Sequence, residues 1–227
     1  MKYFIFLLLL LMAGCSLYQN SSGKTYDADA FKGAERLIPI ASNDTSYTNY
    51  FDVRDTVTRD GWKIQYLVMD DATRHTDAYI QWEKGDVKRV YKYNNVLQYR
   101  GSFMPQLLNE SDTHIFMEHW CATDCMAVLV LPKYGRDDAM DIEAIIDHNL
   151  RSGQFVYREY KDNGAIAATA IDLKRRKKRS VTFKNKTYSP GNSFVKSIVF
   201  NGDIIVIEGE FFDKDGETVK EVQTMRF

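Results

Sequence analysis

The chain has 227 residues, with 30 lysines and arginines against 31 aspartates and glutamates, a formal charge of −1. That even balance excludes a chain built around a nucleic-acid charge footprint. Fourteen tyrosines, 13 phenylalanines and 3 tryptophans against only 4 prolines favour strands over disorder, and the length suffices for one large domain or two small ones with a real core.

The N-terminus carries one cation, Lys2, then an apolar run from Tyr3 to Met12, then Ala13-Gly14-Cys15. The run falls short of the roughly 20 residues a membrane-spanning helix needs and matches a secretory h-region. Met12-Ala13-Gly14-Cys15 resembles the lipobox of bacterial lipoproteins, departing from it at Met12, where leucine is usual. The resemblance implies a signal peptide at 1–14, cleavage before Cys15, a thioether-linked diacylglycerol on its sulfur and an N-acyl chain, with Ser16 favouring the outer membrane. Acyl chains at about 0.8 kcal/mol per buried CH₂ make such anchoring stable. Without residues 1–14 the formal charge is −2. Residues 15–32 are polar and read as a short tether; residues 33–227 read as one β-rich domain.

Strand signals follow in order. Ile64, Tyr66 and Val68 alternate within 62–68; 78–82 is a second strand, and Gly85-Asp86 turns it into 87–93. Further strands are expected at 103–109, 113–120, 125–131 and 154–160. Asp162-Asn163-Gly164, Asn201-Gly202-Asp203 and Asp213-Lys214-Asp215-Gly216 supply the positive φ angles of tight hairpins. One helix is expected near 136–149, where Ile142, Ile145 and Ile146 share a helical face and Asp137 and Asp138 sit near the start; a strand at 142–148 is the competing reading. Short links predict antiparallel meanders. Groups begin near 61, 103, 154 and 194, a blade-like spacing. The expectation is an all-β fold, propeller-like or a β-sandwich.

The chemistry-bearing motifs are few. Cys121 and Cys125 are the only pair left once Cys15 is lipidated, in an oxidising compartment, and a hairpin loop of three residues brings them to bridging distance. A disulfide is therefore expected and a metal is not. The spacing, with His119 nearby, resembles the copper sites of Sco-type chaperones and of the dinuclear copper centre of oxidases. Leu129 stands where the oxidase motif needs histidine, and no βαβ pattern accompanies the pair. No cis-proline or helix start marks it as a redox couple. His114 and His119, five apart, fall on opposite faces of a strand.

Lys174-Arg175-Arg176-Lys177-Lys178-Arg179 is a block of six cations. It reads as a solvated turn, or as a contact for an anionic surface such as lipid headgroups or other envelope components. Aromatics do not interleave it, which argues against single-stranded nucleic acid. Asp213–Glu217 begins like a calcium loop but lacks the later ligands. Asp70-Asp71 and Asp137-Asp138 are acidic pairs without placement. Tyr47, Tyr50, Phe51, Tyr91, Tyr93 and Tyr99 sit in polar stretches as candidates for an exposed aromatic surface. No hydrolase, zincin or phosphate-loop motif is present, no catalytic residue stands out, no cofactor is implied and no motif names a protein partner. The reading is a lipid-anchored envelope protein acting as a binding or structural module. The alternative is an envelope hydrolase whose site is assembled from distant loops.

Overall fold

A computed structural model describes residues 25–27, 36–40, 55–69, 78–94, 104–122, 124–135, 137–160, 166–184 and 194–227. The described residues form seventeen strands in four antiparallel sheets taken in chain order. Sheet A joins β1 (Thr25–Asp27), β6 (Val87–Asn94), β5 (Ala78–Lys84) and β4 (Lys63–Met69), with β2 (Leu37–Pro39) and β3 (Thr56–Val57) sharing the far edge of β4. Strand β1 lies inside the stretch read as tether and completes the β6 edge. Sheet B runs β7 (Gln106–Glu110), β8 (His114–Ala122), β9 (Cys125–Pro132) and β10 (Met140–Ile142). Sheet C runs β11 (Ile145–Asn149), β12 (Gln154–Tyr160), β13 (Ile166–Asp172) and β14 (Lys177–Thr182), and sheet D runs β15 (Val195–Asn201), β16 (Ile204–Phe212) and β17 (Thr218–Arg226). The expected all-β, antiparallel class is what forms.

Period-2 alternation builds the stack. Ile115, Met117, Leu129 and Leu131 of sheet B pack on Ile64, Tyr66, Ile80, Trp82 and Tyr91 of sheet A. The intervening Phe116, Val128 and Val130 face the other way, onto Phe155, Tyr157 and Ile171 of sheet C. Sheet C repeats the device: Val156, Ala168 and Ala170 meet Ile205, Ile207, Phe211 and Met225 of sheet D, closed by Phe183 and Phe194. Strands buried on both faces read as unbroken apolar runs, as Ala127–Leu131 does. The sheets therefore pack face to face in the order A, B, C, D. Among the described residues no buried cluster joins D back to A. The outer face of A carries a small cluster of Leu67, Tyr79 and Val90 under Leu37 and Met69. The outer face of D leaves Val199, Val222 and Phe212 exposed.

The helix expected at 136–149 does not form. Strands β10 and β11 occupy its place, pairing with β9 and β12. Ala144 between them has a φ of 55°, a left-handed conformation that ends any helical run. The isoleucines then serve two strands: Ile142 packs in the B–C layer with Ile145 against it, and Ile146 turns to the C–D layer. Tertiary pairing overrides a spacing that suits a helix.

Candidate functional site

The basic block occupies the turn from β13 to β14 and the start of β14. Asp172, fully buried, organises it: its carboxylate accepts from the Arg175 amide at 2.8 Å, the Arg175 guanidinium at 2.7 Å and the Gln154 amide at 3.0 Å. Arg176, at a φ of 54°, reaches Asp137 at 2.6 Å. Lys178 lies 3.7 Å from Glu159 and over the Tyr157 ring; bonding to Tyr157 first, then Glu159, holds its pKa above 10.5 against the effect of burial. The remaining three behave differently. Lys174 donates to the backbone carbonyl of Arg151 at 3.1 Å and Arg179 to that of Arg226 at 3.4 Å, while Lys177 is exposed. Among the described residues none of these three meets a carboxylate. The motif thus divides into a neutralised half that fixes the turn and a half that keeps its charge.

A second polar cluster lies between sheets A and B and has no sequence motif. His119, buried, hydrogen-bonds Asp141 through Nε2 at 2.9 Å and Tyr93 through Nδ1 at 3.0 Å, with the Trp120 carbonyl 3.2 Å from Nδ1. Glu143, two residues after Asp141 on the same edge strand direction, has its pKa raised by burial and then by the Asp141 charge, with His119 opposing. Both imidazole nitrogens are engaged, so His119 braces Tyr93 of sheet A against Asp141 of sheet B. His114 lies on the other face of β8, bonded to Thr113 and stacked on Phe116; burial lowers its pKa, with Asp137 opposing. Tyr91 is buried rather than exposed and Tyr93 is half-buried, which removes both from an exposed aromatic surface. Tyr47, Tyr50, Phe51, Tyr99 and Asp70-Asp71 lie outside the described residues, as does Cys15 with its leader.

A third cluster clamps the opposite end of sheets A and B. Lys133, 1 % exposed, sits 2.6 Å from Asp60 and 2.7 Å from Glu110, and Glu110 also accepts the Asp60 amide at 2.7 Å. Desolvation works against ionised Glu110, but bonds from Lys133, Thr58 and the Asp60 amide outweigh it and hold its pKa below 4.5. Desolvation likewise opposes charged Lys133, and the two carboxylates raise its pKa above 10.5 all the same.

Cys121 and Cys125 are bridged, their Cα atoms 5.0 Å apart. The hairpin loop is one residue shorter than expected, because Ala122 pairs directly with Cys125 and Cys121 falls at a bulge. No group of three metal-ligating side chains forms among the described residues, and none of their helices is long and apolar enough to cross a membrane. Asp213 Oδ1 accepts the amides of Asp215 and Glu217, both at 2.9 Å, a turn rather than an outward ligand set. Because the disulfide closes so short a loop, Cys121→Ser/Cys125→Ser should cost no more than about 2 kcal/mol. Urea unfolding would measure this; a loss beyond about 4 kcal/mol would mean that the bridge holds more than its own hairpin.

No family model, curated protein or solved structure matches the chain.

Proposed function

We propose that this chain is an envelope lipoprotein, anchored through acylated Cys15 in the outer membrane, whose stacked sheets act as a binding module. The observation that supports this best is the outer face of sheet D. Register places Val199 beside Val206, and Val222 beside Glu208, on the side opposite buried Ile205 and Ile207. Every inner sheet hides such a face under its neighbour, whereas this one is open, and its charges are mixed, with Lys220 2.8 Å from Glu208. An apolar stripe rimmed by charges suits a protein surface. The described ionisable clusters inside the stack engage one another, as braces do, rather than converging on a substrate.

One observation favours the alternative of an envelope hydrolase: Glu143, with its raised pKa, beside Asp141 and His119. That is the kind of carboxyl a general acid needs.

The test has two arms in intact cells. Metabolic labelling with a fatty acid should mark the wild type and not Cys15→Ser, which has no thiol for the thioether; equal label on both would remove the anchor. A photo-crosslinking residue at Val206 should give a discrete adduct that Val199→Glu/Val222→Glu abolishes without changing the melting temperature. No adduct from Val206, together with an envelope defect in Glu143→Gln, would replace the binding reading with the enzymatic one.

A further inference from the structure

The cations that keep their charge are not the six that adjoin in sequence. Lys174, Lys177 and Arg179 lack a carboxylate among the described residues, and the backbone-carbonyl contacts of Lys174 and Arg179 bring in two more exposed cations, Arg151 from the β11–β12 turn and Arg226 from the end of β17. Gln154 ties the region together: it bonds Asp172 beneath the basic turn and the Gly202 carbonyl at 2.7 Å in the β15–β16 turn, and Arg226 pairs with Ile204 just beyond that turn. One corner of sheets C and D therefore gathers five exposed cations from three separate chain segments. Asp172, Asp137 and Glu159 are already occupied by Arg175, Arg176 and Lys178.

We propose that this corner is a docking surface for the phosphate-bearing lipid headgroups of the membrane that holds the anchor, so that the domain attaches at two points. The proposal rests on the lipid-anchor reading. Its geometry is permissive: Thr25 follows Cys15 by ten positions, a contour of up to about 35 Å. The corner belongs to sheets C and D, two and three layers from sheet A, about 20 to 30 Å at the usual 10 Å between packed sheets. A nearly extended tether spans that separation across the layers. The energetics are those of a lipid anchor assisted by a polybasic patch. The corner's cations are exposed and residues 174–179 contain no aromatic, which suits a headgroup contact and does not favour single-stranded nucleic acid.

The test uses the mature chain carrying Cys15→Ser, so that acyl insertion does not mask the surface contact. It is mixed with vesicles of phosphatidylcholine alone, of phosphatidylcholine with phosphatidylglycerol, or of phosphatidylcholine with lipid A. The protein should bind the two phosphate-rich anionic surfaces at low salt, bind phosphatidylcholine weakly, and be released as salt shortens the Debye length. Lys174→Gln/Lys177→Gln/Arg179→Gln should weaken binding about 100-fold, three cations at about a fivefold loss each. Arg151→Gln/Arg226→Gln should weaken it in the same direction while leaving the turn untouched. Lys88→Gln/Lys196→Gln/Lys214→Gln, an equal change in net charge at exposed sites elsewhere, should stay within about threefold of wild type. Binding to either anionic vesicle supports the proposal and identifies the phosphate source. No binding at low salt, or equal losses in the corner and control variants, overturns it. Absence of fatty-acid label on wild-type Cys15 would overturn the anchor reading and leave the vesicle result standing on its own.

Discussion

Lys133→Ala should destabilise the fold by about 3 kcal/mol, the low end of what removing one member of a buried ion cluster costs. The low end applies because the Asp60 side chain is 40 % exposed, although Lys133 and Glu110 are 1 % and 4 % exposed. Truncation leaves Glu110 ionised beneath sheet A with its strongest partner gone, and frees the Asp60 turn that Lys84 also holds through the Asp60 carbonyl. Urea unfolding of the full chain measures the loss. Acid supplies an independent check. The carboxylates have folded pKa values below their ordinary ones, so their contribution is complete above about pH 4.5 and is lost as pH falls through the folded values. Lys133 has a raised value, so its share is complete below pH 10.5 and is lost as pH rises through the folded one. Wild-type stability should therefore drop on acidification more steeply than that of Lys133→Ala. Parallel acid profiles would show that the cluster carries no such load. Lys133→Met/Glu110→Gln should recover part of the loss, since removing both charges avoids a lone buried carboxylate.

Gly209→Val should cost about 3 kcal/mol, the upper end of overpacking. Gly209 sits mid-strand in β16, and a Cβ there would lie 2.6 Å from the Phe211 ring and 3.0 Å from the Phe183 ring. Those rings and Phe194 form one aromatic cluster, with centroids 5.3, 5.3 and 6.0 Å apart, so neither can retreat without disturbing the C–D layer. Gly209→Ala should already be destabilising, and Phe211→Leu should relieve it in part. Gly216 makes the contrast: at a φ of 84° with open space around it, Gly216→Ala should cost only the backbone penalty of about 1 kcal/mol. Equal costs at the two positions would mean that the aromatic cluster yields freely.

Hairpins were the most legible feature of the sequence. Gly85, Gly202 and Gly216 all adopt positive φ at turns marked by Gly-Asp, Asn-Gly or Asp-Gly, and the strands on either side pair as their alternation demands. Local rules decide such features, so local residues reveal them. Residues 140–149 misled because three isoleucines fit both periods, and only the pairing partners, β9 and β12, choose between them. The clusters were not legible at all. Lys133 meets Asp60 across 73 positions, and Tyr93 meets His119 across 26. A lone lysine after a proline carries no sign that it will be buried, and a histidine beside a cysteine draws attention to metal chemistry although its partners come from two other strands. The basic block was legible as charge, but its division depended on where Asp172, Asp137 and Glu159 fold to.

The stacking order has a consequence for how the chain is born. Among the described residues each sheet is built from one consecutive run of strands and packs on its immediate neighbours, so cooperativity should be transmitted layer to layer, as in solenoid repeats. A chain that folds as it emerges N-terminus first has sheets A and B, with their Lys133 and His119 braces, assembled before β15 emerges. During that interval the apolar face of sheet C formed by Val156, Ala168 and Ala170 is bare. The nascent protein thus passes through a stage in which its growing end is adhesive, and sheet D arrives as the cap that ends it.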